Sequence, residues 1–280
     1  MGALAKRRTK RAGINAAGIV VAGIALFPVY WMVLTSFKRN SEVRTLTPQF
    51  VPKHPTLENY RRVFERDFFW TAMRNSALVT ATVVVLALSI AFLAAVAISR
   101  FRFRGRITFV IIVLAIQMIP AEALIISLFQ VLDGRDLTNR IIGLSLTYLI
   151  FVLPFTIWTL RGFVGGVPLE LEEAAQVDGA SRFGAFMRVT LPLVAPGLVA
   201  TGIFAFILAW NEFIFALVLM NRPETQTAPV WLQAFNEGAR GTDWGGVMAG
   251  STVMALPVVI FFLIVQRRVT AGLTAGAVKG

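Results

Sequence analysis

The chain has 280 residues, of which 56% are hydrophobic and 15% are charged, and its mean hydropathy is +0.71. These values lie far outside the range of soluble domains and indicate an integral membrane protein. The net charge is +12, but the basic residues flank apolar segments and do not alternate with aromatic residues, which favours membrane lipids and argues against nucleic acid as the partner of this charge.

Six apolar stretches are long enough to cross the hydrocarbon core as helices, which takes about 20 residues each. They lie at residues 14–34, 76–98, 107–131, 141–160, 197–220 and 247–265. The sequence therefore predicts an all-α, polytopic membrane protein with six transmembrane helices in a single domain, 1–280. Prolines interrupt four of the spans and would allow kinks there, because they leave backbone carbonyl groups without partners. These prolines are Pro28, Pro120, Pro154 and Pro257.

The first span follows a basic cluster at residues 6–11. Its apolar part is too long for a signal peptide and no small-residue cleavage site follows, so we interpret it as a retained anchor. A second basic cluster, at residues 100–106, fills the short link between spans two and three. Dense basic clusters next to short loops face the cytoplasm. We therefore expect both termini on the cytoplasmic side of the membrane.

The loop 37–75 after the first span is then extracytoplasmic. Its stretch LENYRRVFERDFF places apolar residues at helical spacing, with Arg61, Arg62 and Arg66 opposite. We expect an amphipathic helix on the outer surface of the membrane, with the arginines facing away from the apolar side.

Glu122 lies inside the third span, at about the depth of the midplane. Ionisable residues in a membrane span are costly and indicate function, and midplane sites are where transporters commonly bind substrate. The sequence leaves two alternatives open. Glu122 contacts the substrate, or it pairs with Gln117 or a neighbouring helix.

The polar stretch 161–195 between spans four and five predicts two short helices joined by a tight turn. Pro168 suits a first helical position, because its missing N–H would have no partner there. Acidic residues then follow near the positive end of the helix dipole, and small Ala174 and Ala175 permit close approach. The helix is either a solvated acidic surface or fits a basic groove on a partner. Its acids are Glu170, Glu172, Glu173 and Asp178.

The turn and the second helix follow from three residues. Gly179 stands where a left-handed residue would end the first helix. Ser181 can cap the second helix by accepting from its free N–H groups. Pro192 is expected to end that second helix before span five begins.

Span five carries Trp210, Asn211 and Glu212 within one turn. An aromatic face with hydrogen-bonding groups suits a sugar, and Glu212 lies near the midplane like Glu122. The alternative is that Asn211 and Glu212 hold the helix bundle together.

The order Glu173-Ala174-Ala175, Gly179 and then Val189-x-Leu191-Pro192 resembles the EAA loop of permease subunits in binding-protein-dependent ABC importers, which usually have Ile where Val189 stands. Six further stretches, in the same order along the chain, resemble the MalG-like permeases of carbohydrate importers. They are SRFRFRGR at 99–106, QMIP at 117–120, LPFTIWTLRGF at 153–163, AWNEF at 209–213, DWGGVMAGS at 243–251 and GLTAGAVKG at 272–280.

The resemblance implies the type I permease fold of ABC importers, a location in a bacterial cell (inner) membrane and a set of partners. These would be two ATP-binding subunits, a second and distinct permease, an extracytoplasmic solute-binding protein and a sugar. Residues 161–195 would be the coupling loop, with Glu173 paired to a basic side chain, Gly179 at the turn and 272–280 reaching the ATP-binding subunits. The coupling residues would be Glu173, Ala174, Ala175, Asp178, Gly179, Leu191 and Pro192. The chain has no phosphate loop of the GxxxxGK[ST] type, so ATP would be bound by the partners and this chain would carry no cofactor and no catalysis.

Two other classes of function are weighed against this one. A membrane hydrolase or a metal site is disfavoured, because His54 is the only histidine and there is no cysteine. An ion-gradient-driven secondary transporter or channel would use Glu122 and Glu212, but it would have no use for a cytoplasmic docking segment.

Overall fold

The computed structural model describes residues 2–45, 47–236 and 241–277, with side chains described from 13 to 266 apart from 46 and 237–240. Within these ranges the chain is almost entirely helical, and its one extended pairing is an isolated bridge between Asn236 and Thr242. The α-helices are α1 (Gly2–Ser36), α2 (Asn40–Val43), α3 (Glu58–Glu65), α4 (Phe69–Arg100), α5 (Arg106–Ile116), α6 (Ile125–Asp133), α7 (Ile141–Gly165), α8 (Leu169–Val177), α9 (Arg182–Ala185), α10 (Leu191–Asn211), α11 (Ile214–Leu219), α12 (Ala228–Trp231) and α13 (Trp244–Ala277).

Five helical segments of the described chain are long and apolar enough to cross a membrane, and a bent pair of helices makes six if it counts as one span. The predicted multi-pass, all-α architecture is confirmed. The five segments are Gly13–Ser36, Phe69–Arg100, Ile141–Gly165, Arg182–Asn211 and Trp244–Gln266. The chain forms two compact units, Met1–Asp67 with Leu232–Ala255 and Phe68–Trp231 with Leu256–Gly280.

The third predicted span is a broken helix, in which α5 and the following segment Ala121–Asp133 meet at 91°. Before Pro120, the N–H groups of Gln117, Met118 and Ile119 bond to carbonyls three residues back, at 3.0–3.2 Å. This tightening ends α5, and a 3-10 turn at Ala121–Leu124 starts the new direction. At Pro120, where a kink is expected, the chain therefore turns through about a right angle.

The core of the second unit lies between α4, α7 and α10. On α4 a stripe of buried residues recurs every four positions, the spacing of one helix face, and three members of the stripe are alanines. Small side chains let neighbouring helices approach closely in a membrane. The stripe is Val79, Val83, Ala87, Ala91 and Ala95, each 0 or 1% exposed. The same close packing occurs on α10, where a Cβ added at Gly197 would come within 2.3 Å of the Phe163 ring of α7.

The first unit contains the predicted amphipathic helix, which is α3. Its Val63 is fully buried. The arginines do not all face outward as expected, because Arg62 pairs with the buried Asp243 at 2.5 Å and Arg66 lies 4.6 Å over the Phe235 ring. An outward arginine would have left the Asp243 carboxylate buried without a counter-charge, which is the costlier arrangement.

Asn59 of α3 joins the helix to the end of α1, because its amide donates to the carbonyls of Ser36 and Lys38 at 2.7 and 2.8 Å. Lys38 is buried beside the Trp31 ring. Desolvation lowers the pKa of Lys38, and the nearby Glu42 partly opposes this shift. By contrast, every described side chain of α1 from 13 to 30 is exposed.

Candidate functional site

The segment between α7 and α10 forms the predicted helix-turn-helix. Its first helix, α8, begins directly after Pro168, one residue later than expected. Glu170 and Glu172 stand in its first turn, where negative charge complements the helix dipole. The N–H of Ala180 bonds to the carbonyl of Ala175 at 2.9 Å and closes the C-terminal end of α8.

The turn that follows depends on Gly179, whose φ is 90°. A residue with a Cβ is strained in this region, so the prediction of a left-handed glycine is confirmed. No heavy atom lies within 4 Å of where a Cβ would be, so the requirement comes from the backbone alone. The Ser181 hydroxyl accepts from the N–H of Gly184 at 3.1 Å and caps α9 as predicted.

The expectation that Pro192 ends the second helix is wrong. The chain passes from α9 through a π-helical turn at Phe186–Thr190 directly into α10, and Pro192 stands in the first turn of α10. In the π turn the N–H of Leu191 reaches the carbonyl of Phe186, five residues back. This turn is wider than an α-helical turn and shifts the hydrogen-bond register. We infer that the shift makes room for the ring of Pro192, which would otherwise clash with the preceding turn.

Glu172 is the centre of a nearly buried polar network. Its carboxylate is 2.9 Å from the guanidinium of Arg100, with side-chain exposures of 15% and 9%. The Thr190 hydroxyl donates to the same carboxylate oxygen, and Arg100 also donates to the carbonyl of Val167 at 3.1 Å. The network therefore fixes α8 to the end of α4 and to the start of α10.

The neighbouring acids face outward. Glu173 and Asp178 are exposed, and two apolar side chains on the same segment are exposed as well, Val177 by 87% and Phe183 by 73%. We call this set, Glu173, Val177, Asp178 and Phe183, the coupling face. Ala174 is exposed with it, whereas Ala175 and Leu191 are half-buried and Pro192 is exposed.

Span five is broken at the polar residues predicted there. α10 ends at Asn211 and α11 begins at Ile214. The Glu212 carboxylate accepts from the N–H groups of Phe215 and Ala216 at 2.8 and 3.1 Å, so it caps α11. Trp210 is buried, with 4% exposure, and Asn211 is exposed. These contacts, and that of the Asn211 amide with the carbonyl of Ile207, all lie within span five, so they define a local cap and join no second helix.

Gln117 and Glu122 come together at the break in the third span. Both line a cavity of about 370 Å³. Aromatic rings line the same cavity, including Phe151 and the pair Phe155 and Phe204, whose centroids are 3.9 Å apart. Trp210, Asn211 and Glu212 do not belong to its lining.

Among the described residues, no group of three or more His, Cys, Asp or Glu side chains could hold a metal ion.

The model of one protein family matches residues 87–274, and its description is "binding-protein-dependent transport system inner membrane component". The match includes the helix-turn-helix and both broken spans. The chain belongs to this family. The predicted resemblance is confirmed, and membership decides against the ion-gradient-driven transporter.

Curated relatives match this permease over nearly its whole length. It is 44% identical to the diacetylchitobiose uptake system permease protein DasC of Streptomyces coelicolor, over 95% of this chain and 96% of the relative. It is 38% identical to the trehalose transport system permease protein SugB of Mycobacterium tuberculosis, over 93% and 95%. It is 37% identical to the trehalose/maltose transport system permease protein MalG of Thermococcus litoralis, over 97% and 98%.

Solved structures confirm the fold of this permease as that of an ABC importer permease. A chain of a bacterial ABC transporter involved in the import of the acidic polysaccharide alginate superposes with a TM-score of 0.77 at 24% identity, over 93% of this chain and 97% of that one. An alginate ABC transporter in complex with alginate pentasaccharide-bound periplasmic protein gives a TM-score of 0.67 at 15% identity.

Sequence reasoning missed the network of Glu172, Arg100 and Thr190. The sequence pattern places Arg100 in the basic cluster and Glu172 in the acidic helix, and it gives no sign that the two pair. The available signal is the position of Glu172 one residue before Glu173, because adjacent helical residues point about 100° apart, so one can face the chain while the other faces outward.

Proposed function

We propose that this permease forms half of the translocation pathway of an ATP-driven carbohydrate importer. Two ATP-binding subunits, a second and distinct permease and an extracytoplasmic solute-binding protein would complete the assembly. Relatives named for diacetylchitobiose, trehalose and maltose support a sugar as the substrate. This permease would neither bind nor hydrolyse ATP itself.

The coupling face is the observation that carries this proposal. Its apolar centre of Val177 and Phe183, rimmed by Glu173 and Asp178, has the composition of a protein interface. The acids suit a cleft with basic side chains on an ATP-binding subunit. Because Glu172 is already neutralised by Arg100, the exposed Glu173 and Asp178 are the acids of the coupling face that can pair with such a partner.

The mechanism follows from how the coupling face is attached. Closure of the ATP-binding subunits on ATP would move α8 as a rigid body. The network around Glu172 would pass that movement to α4 and α10, which would rock between inward-open and outward-open states. Gly179 would keep the angle between the two short helices constant during this movement.

We further propose that the cavity at the break of the third span belongs to the sugar pathway. The closely packed rings of Phe155 and Phe204 offer apolar surface for a sugar ring, and Gln117 and Glu122 offer hydrogen bonds to its hydroxyl groups. We also propose Trp210 and Asn211 for the sugar pathway. Glu212 would shape that pathway by capping α11.

The decisive experiment is purification of the tagged chain from its native membrane in a mild detergent, followed by identification of the proteins that co-purify. We expect an ATP-binding subunit and a second permease. Glu173→Lys should prevent capture of the ATP-binding subunit, whereas the control Glu65→Lys, an exposed acid in the first unit, should not. If the chain purifies alone, even after crosslinking in membranes, the proposal is refuted.

The proposed orientation puts both termini and the coupling face in the cytoplasm. Because the chain has no cysteine, single cysteines report directly on sidedness. In intact cells an impermeant maleimide should label Asn221→Cys and spare Ser181→Cys. The reverse pattern would overturn the orientation and would leave the family assignment unaffected.

Substrate contact by Glu122 is tested by Glu122→Gln in sugar uptake. We expect a changed preference among oligosaccharides, since the amide replaces two acceptors with one acceptor and one donor. Glu224→Gln, outside the cavity, is the control. Unchanged preference and affinity in Glu122→Gln would contradict the contact.

A further inference from the structure

A basic recess lies where α4 ends, α5 begins and α7 ends. Two cavities, of about 480 and 410 Å³, share the side chains of Arg106 and Arg161 and so adjoin each other. Arg102 lines the larger cavity, and Trp158 lines the smaller one. We call Arg102, Arg106 and Arg161 the recess arginines. Arg106 and Arg161 are half-buried, and Arg102 is exposed.

The recess arginines carry positive charge that the chain does not neutralise. Among the described side chains, no carboxylate lies within ion-pair distance of any of the three, whereas Arg100, at the adjacent end of α4, is paired with Glu172. The Arg161 guanidinium lies 5.2 Å over the Trp158 ring, which orients it without cancelling its charge. α5 also begins at Arg106, so the positive end of its dipole adds to the field.

The border of the recess is apolar. Ile107 and Phe103, which line the larger cavity, are 75% and 45% exposed, and Trp158, which lines the smaller one, is 43% exposed. A free anion would gain nothing from these side chains. A molecule with a phosphate group and attached acyl chains would contact the arginines and the apolar border together. Cavities of this size are in the usual range for ligand sites.

We propose that the recess binds the headgroup of an anionic phospholipid, with its phosphodiester against the recess arginines and its acyl chains along Ile107 and Phe103. This site is independent of the sugar pathway. It adjoins the helix end that also holds the coupling segment, since Arg100 ends α4 and Arg102 and Arg106 follow it in the α4 to α5 link and at the start of α5. Lipid bound there would therefore hold that link in place.

The test is lipid binding to the purified importer complex, delipidated and titrated with phosphatidylglycerol under native mass spectrometry. Each arginine near an anionic lipid contributes about 1 kcal/mol, equivalent to about fivefold in affinity. The variant Arg106→Gln with Arg161→Gln should therefore bind about 25-fold more weakly. Arg104→Gln is the matched control, because Arg104 is exposed in the same link and lines neither cavity.

Two competing ligands complete the experiment. Phosphatidylcholine with the same acyl chains should bind far more weakly than phosphatidylglycerol, and glycerol phosphate without acyl chains should not compete at equal concentration. Undiminished binding by the double glutamine variant, equal binding of phosphatidylcholine or full competition by glycerol phosphate would each overturn the proposal. Arg106→Lys with Arg161→Lys keeps the charge and should retain binding, which separates loss of the site from loss of the fold.

Discussion

The ion pair between Glu172 and Arg100 yields a quantitative prediction. At 2.9 Å and an effective dielectric constant of about 20, the attraction is about 6 kcal/mol. The desolvation penalty of a buried carboxylate is several kcal/mol and offsets about half of this. Glu172→Gln keeps the shape, leaves Arg100 buried without a counter-charge and should lower the free energy of unfolding by about 3 kcal/mol.

The assay is thermal unfolding of the purified chain in detergent, followed by tryptophan fluorescence. At about 2–4 °C per kcal/mol, Glu172→Gln should lower Tm by roughly 6–12 °C. The control Glu173→Gln alters an exposed neighbour and should change stability by less than about 0.5 kcal/mol. Glu173→Gln should instead weaken ATP-driven uptake by the assembled importer.

A double-mutant cycle decides whether the pair itself is responsible. Arg100→Gln combined with Glu172→Gln removes both charges, so it should be less destabilising than the sum of the single changes by at least about 1.5 kcal/mol. If the two effects add to within about 0.5 kcal/mol, the side chains do not act as a pair and the role given to the network is refuted.

Three further substitutions test single features. Gly179→Val should insert normally but uncouple ATP hydrolysis from sugar uptake, because its φ of 90° costs a branched residue about 1–2 kcal/mol; normal uptake would refute this. Gly197→Ala should reduce the yield of folded protein, because its Cβ would lie within 2.3 Å of a ring on α7, whereas Gly23→Ala, with nothing within 4 Å, should not. Asp243→Asn should lower Tm, since it leaves Arg62 without its counter-charge; an unchanged Tm would show that the pair adds no stability.

Local chemistry made much of the coupling segment predictable. Gly179 and Ser181 act on the backbone of residues next to them, so a few adjacent residues are enough to predict the turn and the helix cap. Pro192 was predicted wrongly because the π turn before it changes the hydrogen-bond register. A π turn has no characteristic amino-acid composition, so the sequence does not reveal it.

Contacts between distant residues were harder to foresee. Arg62 and Arg66 follow the pattern of a solvated helix face, yet the structure turns them toward Asp243 and Phe235, far away in sequence. The meeting of Gln117 and Glu122 in one cavity likewise depends on the 91° bend. Periodicity describes a straight helix and gives no bend angle.

The absence of a break between α9 and α10 has a mechanical consequence. The continuous helical segment Arg182–Asn211 contains 30 residues, so it is about 45 Å long. If the coupling face moves with the ATP-binding subunits as proposed, this segment would work as a lever whose far end is the joint capped by Glu212. A tilt of about 10° would carry that end about 8 Å sideways over this length. A small rotation at the membrane surface would then become a displacement large enough to open or shut a passage for a sugar.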